Sequence, residues 1–341
     1  MITRSAEGAE TPAWRAELAT AFCEPRRLLD FLAIDPRWVG QSLLEPDRFK
    51  LRVPVSFAKR MRRGDPQDPL LRQVLPVVDE ERRLPGYSTD PVGDQAAHLG
   101  DGLLQKYQGR ALLIATGACA VHCRYCFRRH FPYTDSQLHA SKLDGILQRI
   151  EADPGITELI LSGGDPLMIS DEKLAVLFER LNRLPQLTRV RIHSRLPIVL
   201  PSRITPTLVA LLSGMSKSIT LVVHSNHPNE LNEEVGSALR PLRRQGITLL
   251  NQAVLLKGVN DTSQSLRELS ERGFELGILP YYLHLLDPVA GAAHFAVTED
   301  AAWTLMTTLR DQLPGYLVPR FVREVPGAPS KTPLAKLYDE R

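Results

Sequence analysis

Short apolar runs rich in β-branched residues recur along the chain from about residue 110 onward. They are ALLIAT (111–116), ITELILS (156–162), VRIHS (190–194), SITLVVHS (218–225), GITLLNQAVL (246–255) and LGILPYYLHL (276–285). After the first, successive runs begin about thirty residues apart, and segments with helical spacing of apolar residues lie between them. Strands that alternate with helices at this spacing predict βα units and therefore a parallel sheet.

One of the intervening helices can be placed from its own pattern. Ser170 has the side chain of a helix N-cap, and Leu174, Leu177, Leu181 and Leu184 follow at intervals of three and four. The leucines predict one buried face of a helix that begins after Ser170.

The first hundred residues have a different character. TPAWRAELATAF and PRRLLDFLAI carry apolar residues at helical spacing, whereas DPQDPLLRQVLP and LPGYSTDPVGD are rich in proline and glycine. We predict a helical N-terminal extension over residues 1–104, packed on a main domain over residues 105–335, and a tail over residues 336–341. Cys23 is predicted to be a small buried residue on one of the helices of the extension.

Residues with distinctive chemistry fall at or just after the carboxyl ends of the predicted strands. Loops at these ends form the active face of β/α barrels, whereas an open doubly wound sheet gathers its ligands mainly at one switch point. Because the residues are spread over six strands, they favour a partial (βα)6 barrel of the α/β class. They are Cys119, Gly163, Gly164, Asp165, His193, His224, Gln252 and Asp287.

The overall composition narrows the class of protein. Apolar residues make up 43% of the 341 residues and charged residues 24%, which is ordinary for a globular domain. The formal net charge is only +3, so no nucleic-acid partner is expected. The first residues lack the apolar run of a secretory signal, and no stretch reaches the roughly 18–20 apolar residues of a membrane span. We therefore expect a cytoplasmic protein with no membrane partner.

Three of the four cysteines form a C-x3-C-x2-C cluster directly after the first predicted strand, at Cys119, Cys123 and Cys126. Three thiolates on a short loop can each bind one iron of a 4Fe–4S cubane and leave the fourth iron open to a small molecule. The alternative is a zinc site with His122 or His130 as the fourth ligand, although structural zinc motifs normally pair two C-x2-C elements. The spacing favours the iron–sulfur cluster.

The cysteine cluster and a second motif resemble the radical S-adenosylmethionine (SAM) enzymes. The segment LSGGDP (161–166), at the end of the second predicted strand, resembles the glycine-rich motif beside the SAM amino group in that family. Glycines allow close approach of the backbone, and a carboxylate suits an ammonium. The resemblance implies that SAM chelates the open iron and that Ser162, Gly163, Gly164 and Asp165 contribute to its site.

The region from about residue 98 to residue 335 also resembles the lysine 2,3-aminomutases. The matching segments, in order, are YQGR, CRYCFRRHF, LSGGDPLMISDE, RIHSRLPIVLPSRIT, SNHPNE, LKGVND, PYYLHLLDP and GAPSKTPL. In that family a lysine at the position of Lys331 bonds covalently to pyridoxal phosphate (PLP), a role that suits a lysine on a turn-rich loop. Arg128 matches the arginine that holds the substrate carboxylate, and Arg110 and Tyr107 match residues near the PLP phosphate.

Two acidic residues carry the implied substrate preference. Asp287 matches an acid that recognises the distal ammonium of lysine, and Glu324 stands where the family has a second aspartate. Such acids favour a cationic substrate over glutamate, whose side chain they repel. His284 replaces a tyrosine of the family.

The compact length, with a last residue at Arg341, and the segments RYCFRRHFPY and PSKTPL most resemble the members that make (R)-β-lysine from (S)-lysine for elongation factor P. The resemblance implies an isomerase that moves an amine between adjacent carbons by radical chemistry. Its expected partners are lysine, a reductase or flavodoxin-like electron donor, elongation factor P and the lysine ligase that modifies this factor. The alternatives are a free-lysine or glutamate aminomutase of metabolism and, in a different class, a non-catalytic zinc-binding scaffold.

Overall fold

A computed structural model describes residues 12–35, 37, 43, 49–133 and 140–334 of the chain. Its strands form one sheet in which each strand pairs with the next along the sequence. Strands β2 to β8 are parallel, and β1 and β9 pair antiparallel at the two edges. The strands are β1 (Leu103–Tyr107), β2 (Arg110–Thr116), β3 (Glu158–Gly163), β4 (Arg189–Ser194), β5 (Ser218–Val223), β6 (Thr248–Val254), β7 (Leu279–His284), β8 (Arg320–Arg323) and β9 (Thr332–Pro333).

Helices α5 to α11 connect the parallel strands, as the alternating pattern predicts, and α1 to α4 precede the sheet. The helices of the described residues are α1 (Ala13–Ala19), α2 (Pro25–Phe31), α3 (Val55–Ala58), α4 (Pro69–Arg72), α5 (Ala140–Ala152), α6 (Asp171–Asn182), α7 (Leu196–Val199), α8 (Pro206–Ser213), α9 (Glu233–Arg244), α10 (Ser263–Glu275) and α11 (Glu299–Gln312). The helix predicted after Ser170 is α6, and its leucine face is buried in the core.

The sheet is curved into an open barrel. Side chains of β3 alternate, so that Ile160 and Ser162 face a central cavity while Leu159 and Leu161 are buried in the core beneath the helices. One side-chain hydrogen bond joins the two ends of the sheet: the hydroxyl of Tyr107, at the end of β1, donates to Glu324, just after β8, at 2.6 Å. The predicted partial barrel is confirmed, with one parallel strand more than the six that the sequence predicts. The seventh, β8, has only four residues.

The N-terminal segment packs on the barrel. Both of its predicted helices are present as α1 and α2, and Trp14, Leu29 and Phe57 are buried in the same core as the strand residues. The prediction for Cys23 is wrong, because this residue lies exposed between the two helices. Pro25 occupies the first position of α2, so the first helix cannot run on through this point.

Within the described ranges, no helix combines the length and the apolar character needed to cross a lipid bilayer.

Candidate active site

One cavity of about 380 Å³ occupies the inside of the barrel. Its lining combines the cysteine loop after β2, inward-facing residues of the strands, and the segment that follows β8. A volume of this size suits a small-molecule site. Every site residue predicted from the sequence lines it: Tyr107, Arg110, Cys119, Cys123, Cys126, Arg128, Ser162, Gly163, Gly164, Asp165, Asp287, Glu324 and Lys331.

The cysteine loop and the glycine motif touch each other at the carboxyl ends of β2 and β3. The Gly164 N–H donates to the carbonyl of Thr116 at 2.7 Å, and the Asp165 N–H donates to that of Ala118 at 2.8 Å. A Cβ on Gly164 would lie 2.5 Å from the Ala118 carbonyl oxygen, so only glycine permits this approach. The two motifs therefore form one structural unit.

Burial makes Cys119 and Cys126 poor anions by themselves. It raises the pKa of the Cys119 thiol well above its usual range and that of Cys126 to about 11. Cysteine ligands bind metals as thiolates, and a bound cation supplies the positive charge that stabilises them. These three thiols on one half-buried loop therefore fit a metal cluster.

The N-terminal segment holds the cysteine loop from outside. Glu80 accepts from Arg124 Nε at 2.8 Å and from Arg129 Nη2 at 2.6 Å, and all three side chains are nearly or fully buried. The loop backbone is also bound, since the Arg124 N–H donates to the carbonyl of Gln73 at 2.8 Å. The cysteines are thereby fixed relative to the rest of the chain.

The two histidines of the zinc alternative each use one ring nitrogen elsewhere. Nδ1 of His122 lies 2.6 Å from the carbonyl oxygen of Lys50, and Nε2 of His130 lies 3.0 Å from that of Ala290. In the part of the chain that the structure describes, no group of three or more His, Cys, Asp or Glu side chains converges on a single metal ion. A cubane needs no such convergence, because each thiolate binds a different iron.

Asp165 ties the glycine motif to the end of β4. Its carboxylate accepts from the Ser194 hydroxyl at 2.8 Å and from the N–H groups of Arg195 and Leu196 at 2.8 and 3.1 Å. Burial nevertheless raises the pKa of Asp165 to about 6. All of these contacts go to protein groups, so they order the loop around Gly163 and Gly164.

A line of alternating charges crosses the cavity wall. Lys331 Nζ donates to Glu324 at 2.8 Å, and Lys106 lies 3.7 Å from the same carboxylate. Lys106 is also 2.7 Å from Asp94, whose other oxygen accepts from Arg128 Nε at 2.6 Å. The predicted residues Lys331 and Arg128 are therefore linked through two carboxylates and a lysine.

The carboxylates of this line are ionised. Burial alone raises the pKa of a carboxyl, but Arg128 and Lys106 outweigh it and lower the pKa of Asp94 to about 2. Burial is likewise outweighed at Glu324, where Lys331 lowers the pKa. The pairing of β9 with β8 returns the chain so that Lys331 reaches Glu324.

Neutral polar groups also line the cavity. Burial lowers the pKa of His193 and His284 well below its usual range and that of His224 to about 4. Nε2 of each of these histidines, and Oε1 of Gln252, are buried and have no hydrogen-bond partner within the described chain. Unpaired buried polar atoms around a cavity fit a polar ligand that completes their hydrogen bonds.

Several residues of the site give no signal in the sequence. Asp94 lies in a proline- and glycine-rich stretch without periodicity, Lys106 lies outside the predicted strands, and Arg191 is a polar position of a predicted strand. Arg191 contacts Glu158 at 3.1 Å and the Tyr281 hydroxyl at 3.3 Å inside the cavity. A charged residue in the middle of a predicted inner strand is the one feature that could have marked Arg191.

Comparison with known proteins places this geometry in a family. Residues 113–269 match the model of the Radical SAM superfamily. The chain is 49% identical to the L-lysine 2,3-aminomutase of Escherichia coli over 324 residues, which cover 94% of each protein. It belongs to the L-lysine 2,3-aminomutase family.

Two further L-lysine 2,3-aminomutases align over a large part of this chain. The L-lysine 2,3-aminomutase of Haemophilus influenzae is 44% identical over 94% of each chain. That of Clostridium subterminale is 36% identical over 81% of this chain and 66% of its own. The match of residues 113–269 to the Radical SAM superfamily implies a 4Fe–4S cluster and SAM. The half-buried loop of Cys119, Cys123 and Cys126, in contact with the glycine motif, fits both.

Proposed function

We propose that the protein is an L-lysine 2,3-aminomutase, an isomerase that converts (S)-lysine to (R)-β-lysine. The observation that carries the proposal is a single cavity lined by the three cysteines and the glycine motif, and also by Lys331, Glu324 and Asp287. The proposed cluster and SAM site and the proposed site for amine chemistry thus share one cavity. The 49% identity to an L-lysine 2,3-aminomutase over 94% of the chain supports the same reaction.

The proposed cofactors are a 4Fe–4S cluster on the cysteines, SAM beside Ser162 and the glycine motif, and PLP on Lys331. When bound, they would supply a carbon radical that removes hydrogen from an unactivated position and a carrier for the migrating amine. Tyr107 and Arg110, whose guanidinium lies 4.6 Å above the Tyr107 ring, suit the phosphate of PLP. The unpaired nitrogens of His193, His224 and His284 lie in the same cavity.

Arg128 is the proposed partner of the substrate carboxylate. Its Nε donates to Asp94 at 2.6 Å and its Nη1 donates to the Ser162 hydroxyl at 3.1 Å. These contacts fix the plane of the guanidinium, which a bidentate contact with a carboxylate requires. Holding the substrate by one end in a fixed orientation places the reacting carbons at a fixed distance from the cluster side.

Asp287 and Glu324 are the proposed partners of the distal ammonium. A cation in this part of the cavity stabilises both carboxylates, whereas the carboxylate of glutamate would meet two acids. Glu324 already binds an ammonium, that of Lys331, which supports its proposed role. The contacts therefore support lysine over glutamate.

The test is an anaerobic assay of the purified protein. After reconstitution with iron and sulfide, the protein receives SAM, PLP, a one-electron reductant and labelled lysine, and β-lysine is measured by chromatography. We expect a brown protein that cleaves SAM and isomerises lysine, with no turnover of glutamate. A colourless protein that retains zinc would support the scaffold alternative, and turnover of glutamate would support the other aminomutase.

Lys331→Ala tests the PLP assignment separately. We expect the absorbance of bound PLP to disappear while the iron content stays unchanged, because Lys331 lies on the segment after β8 and the cysteines follow β2. The matched control is Lys217→Ala, since Lys217 donates to the carbonyl of Leu184 and does not line the cavity. Persistence of the PLP signal in Lys331→Ala would show that another residue holds the cofactor.

The proposed setting is the cytoplasm, with a reductase or flavodoxin-like protein as electron donor and elongation factor P as the final acceptor of β-lysine through its lysine ligase. The assay is therefore repeated with elongation factor P and the ligase, and the factor is weighed by mass spectrometry. Faster turnover of free lysine than of factor-bound lysine would identify free lysine as the substrate.

A further inference from the structure

Arg195 lies directly after β4 and is buried against the cysteine loop, with 5% of its surface exposed. Its backbone N–H donates to Asp165 at 2.8 Å. Its guanidinium carbon lies 5.4 Å from the centre of the Phe57 ring and 5.6 Å from that of Tyr125. Backbone and side chain are therefore both held in place.

The two terminal nitrogens of the Arg195 guanidinium bind different partners. Nη2 donates to the Gln73 side chain at 2.7 Å and to Glu230 at 3.1 Å, while Nη1 donates to the sulfur of Cys123 at 2.7 Å. Glu230 is fully buried, and its second oxygen accepts from the Gln73 amide at 3.0 Å and from the Asn226 N–H at 3.0 Å. One N–H of a rigid cation thus points at a cysteine of the cluster site.

The same sulfur has a second polar neighbour. Tyr125 and Cys123 interact electrostatically, and the Tyr125 oxygen accepts from the Asn226 amide at 2.7 Å. Because the oxygen accepts from Asn226, its own hydrogen is available to the sulfur. The surroundings of Cys123 therefore suit a thiolate and its share of a cluster's negative charge.

Distance decides the sign of the electrostatic effect at Cys123. The guanidinium touches the sulfur, whereas the carboxylate of Glu230 is bound to a different nitrogen of the same guanidinium. Coulomb energy falls with distance, so the cation outweighs the anion at the sulfur, and the anion offsets part of it. Reduction of a 4Fe–4S cluster adds one electron, and hydrogen bonds to its sulfurs stabilise the more negative state.

We propose that Arg195 is a positioning residue that raises the reduction potential of the 4Fe–4S cluster through its hydrogen bond to Cys123, with Glu230 setting how far it is raised. The inference rests on the proposed function only for the presence of the cluster. In the step concerned, one electron passes from a one-electron donor to the cluster, and no proton or covalent bond is exchanged. The network lets a weaker reductant load the cluster before SAM is cleaved.

The test is a redox titration of the reconstituted holoprotein, followed by the electron paramagnetic resonance of the reduced cluster, without lysine or PLP. Arg195→Gln removes the cation, and we expect at least a tenfold lower ratio of reduced to oxidised cluster at fixed potential, a shift of about 59 mV to more negative values. Glu230→Gln removes the opposing anion, so its midpoint should move in the positive direction. Arg195→Lys keeps the charge and should stay near the original midpoint.

Opposite shifts in the two glutamine variants support the proposal, because a merely structural role moves neither potential in a charge-dependent direction. Equal shifts, no shift, or a loss in Arg195→Lys as large as in Arg195→Gln overturn it. If Arg195→Gln assembles no cluster, a positive shift in Glu230→Gln together with an Arg195→Lys midpoint near the original supports the proposal, and any other result overturns it. Because lysine is absent, a protein with the expected potentials but no lysine turnover contradicts only the proposed function.

Discussion

Asp287 makes the stability of the chain depend on pH in a direction that the structure fixes. This residue follows β7, faces the cavity and is half-buried. Burial raises the pKa of its carboxyl from 3.8 to about 7, and the Lys331 ammonium opposes that rise only in part. Asp287→Asn keeps the shape of the side chain and removes its titration.

The sign follows from the number of protons that each state binds. Between about pH 4 and pH 7 the folded chain holds a proton on Asp287 that the unfolded chain has lost. The free energy of unfolding therefore falls as pH rises through this window, and the loss is complete above pH 7. A rise of about three pKa units corresponds to about 4 kcal/mol. We expect Asp287→Asn to gain up to about that amount, relative to the original chain, between pH 4 and pH 8.

The assay is urea denaturation of the cofactor-free proteins, followed by circular dichroism across this pH range. The difference between the two chains is the useful quantity, because other buried acids such as Asp165 cancel from it. Asp144→Asn, at an exposed carboxylate, is the matched control. A pH-independent difference for Asp287→Asn would show that Asp287 ionises freely in the folded chain, and the argument from burial would then be wrong.

The same titration couples to substrate in the proposed reaction. A distal ammonium beside Asp287 favours the ionised carboxyl, so binding of lysine should release one proton below pH 7. The affinity for lysine should then rise about tenfold per pH unit up to about pH 7 and level off above it. Asp287→Asn should lose this component of the pH dependence, measured as the lysine KM of the reconstituted enzyme.

Three further changes have directions set by individual contacts. Gly164→Ala places a Cβ 2.5 Å from the Ala118 carbonyl oxygen, so the iron bound per chain should fall several-fold. The control is Gly145→Ala in α5, where a Cβ meets nothing within 4 Å. This control should bind full iron and gain up to about 1 kcal/mol of unfolding free energy. Glu80→Gln leaves two buried guanidinium groups without their anion, and urea denaturation should show a loss of about 3–5 kcal/mol. Asp94→Asn removes a carboxyl whose pKa is lowered to about 2 by neighbouring cations, although burial opposes this. At pH 7 the variant should lose about 2 kcal/mol of unfolding free energy, and this loss should vanish as the pH falls toward 2. Full iron in the first variant, unchanged denaturation in the second, or a pH-independent deficit in the third would contradict the corresponding contact.

Most of the sheet is predictable because its strands are coded locally. Each of the six predicted strands is an apolar run long enough to cross the barrel, with a helix-sized interval before the next. The remaining strands lack such a signal. β1 contains Gln105 and Lys106, β8 has four residues, and β9 has two residues whose pairing exists only because β8 lies beside it. Short edge strands depend on tertiary contacts, which a pattern along the chain does not contain.

The predicted site residues share a property that explains what the sequence leaves out. Cysteines, glycines and Lys331 lie in compact motifs, so their chemistry is visible in a few adjacent letters. Their counter-charges come from distant and irregular segments: Asp94 lies 34 residues from Arg128, and Glu80 lies 44 residues from Arg124. A carboxylate in a segment without periodicity is indistinguishable from a surface acid until the fold brings it to its partner.

The counter-charges change how ligand binding must be understood. In the folded chain Lys331 already holds Glu324, Arg128 already holds Asp94, and Cys123 already accepts from Arg195. A substrate or cofactor that engages one of these groups replaces or shares a buried partner, so its affinity is a difference between two sets of contacts. Because the pairs are connected through Lys106, a charge that enters at Lys331 also alters the balance at Arg128. We therefore expect binding at one end of an amino acid to change the binding affinity at its other end.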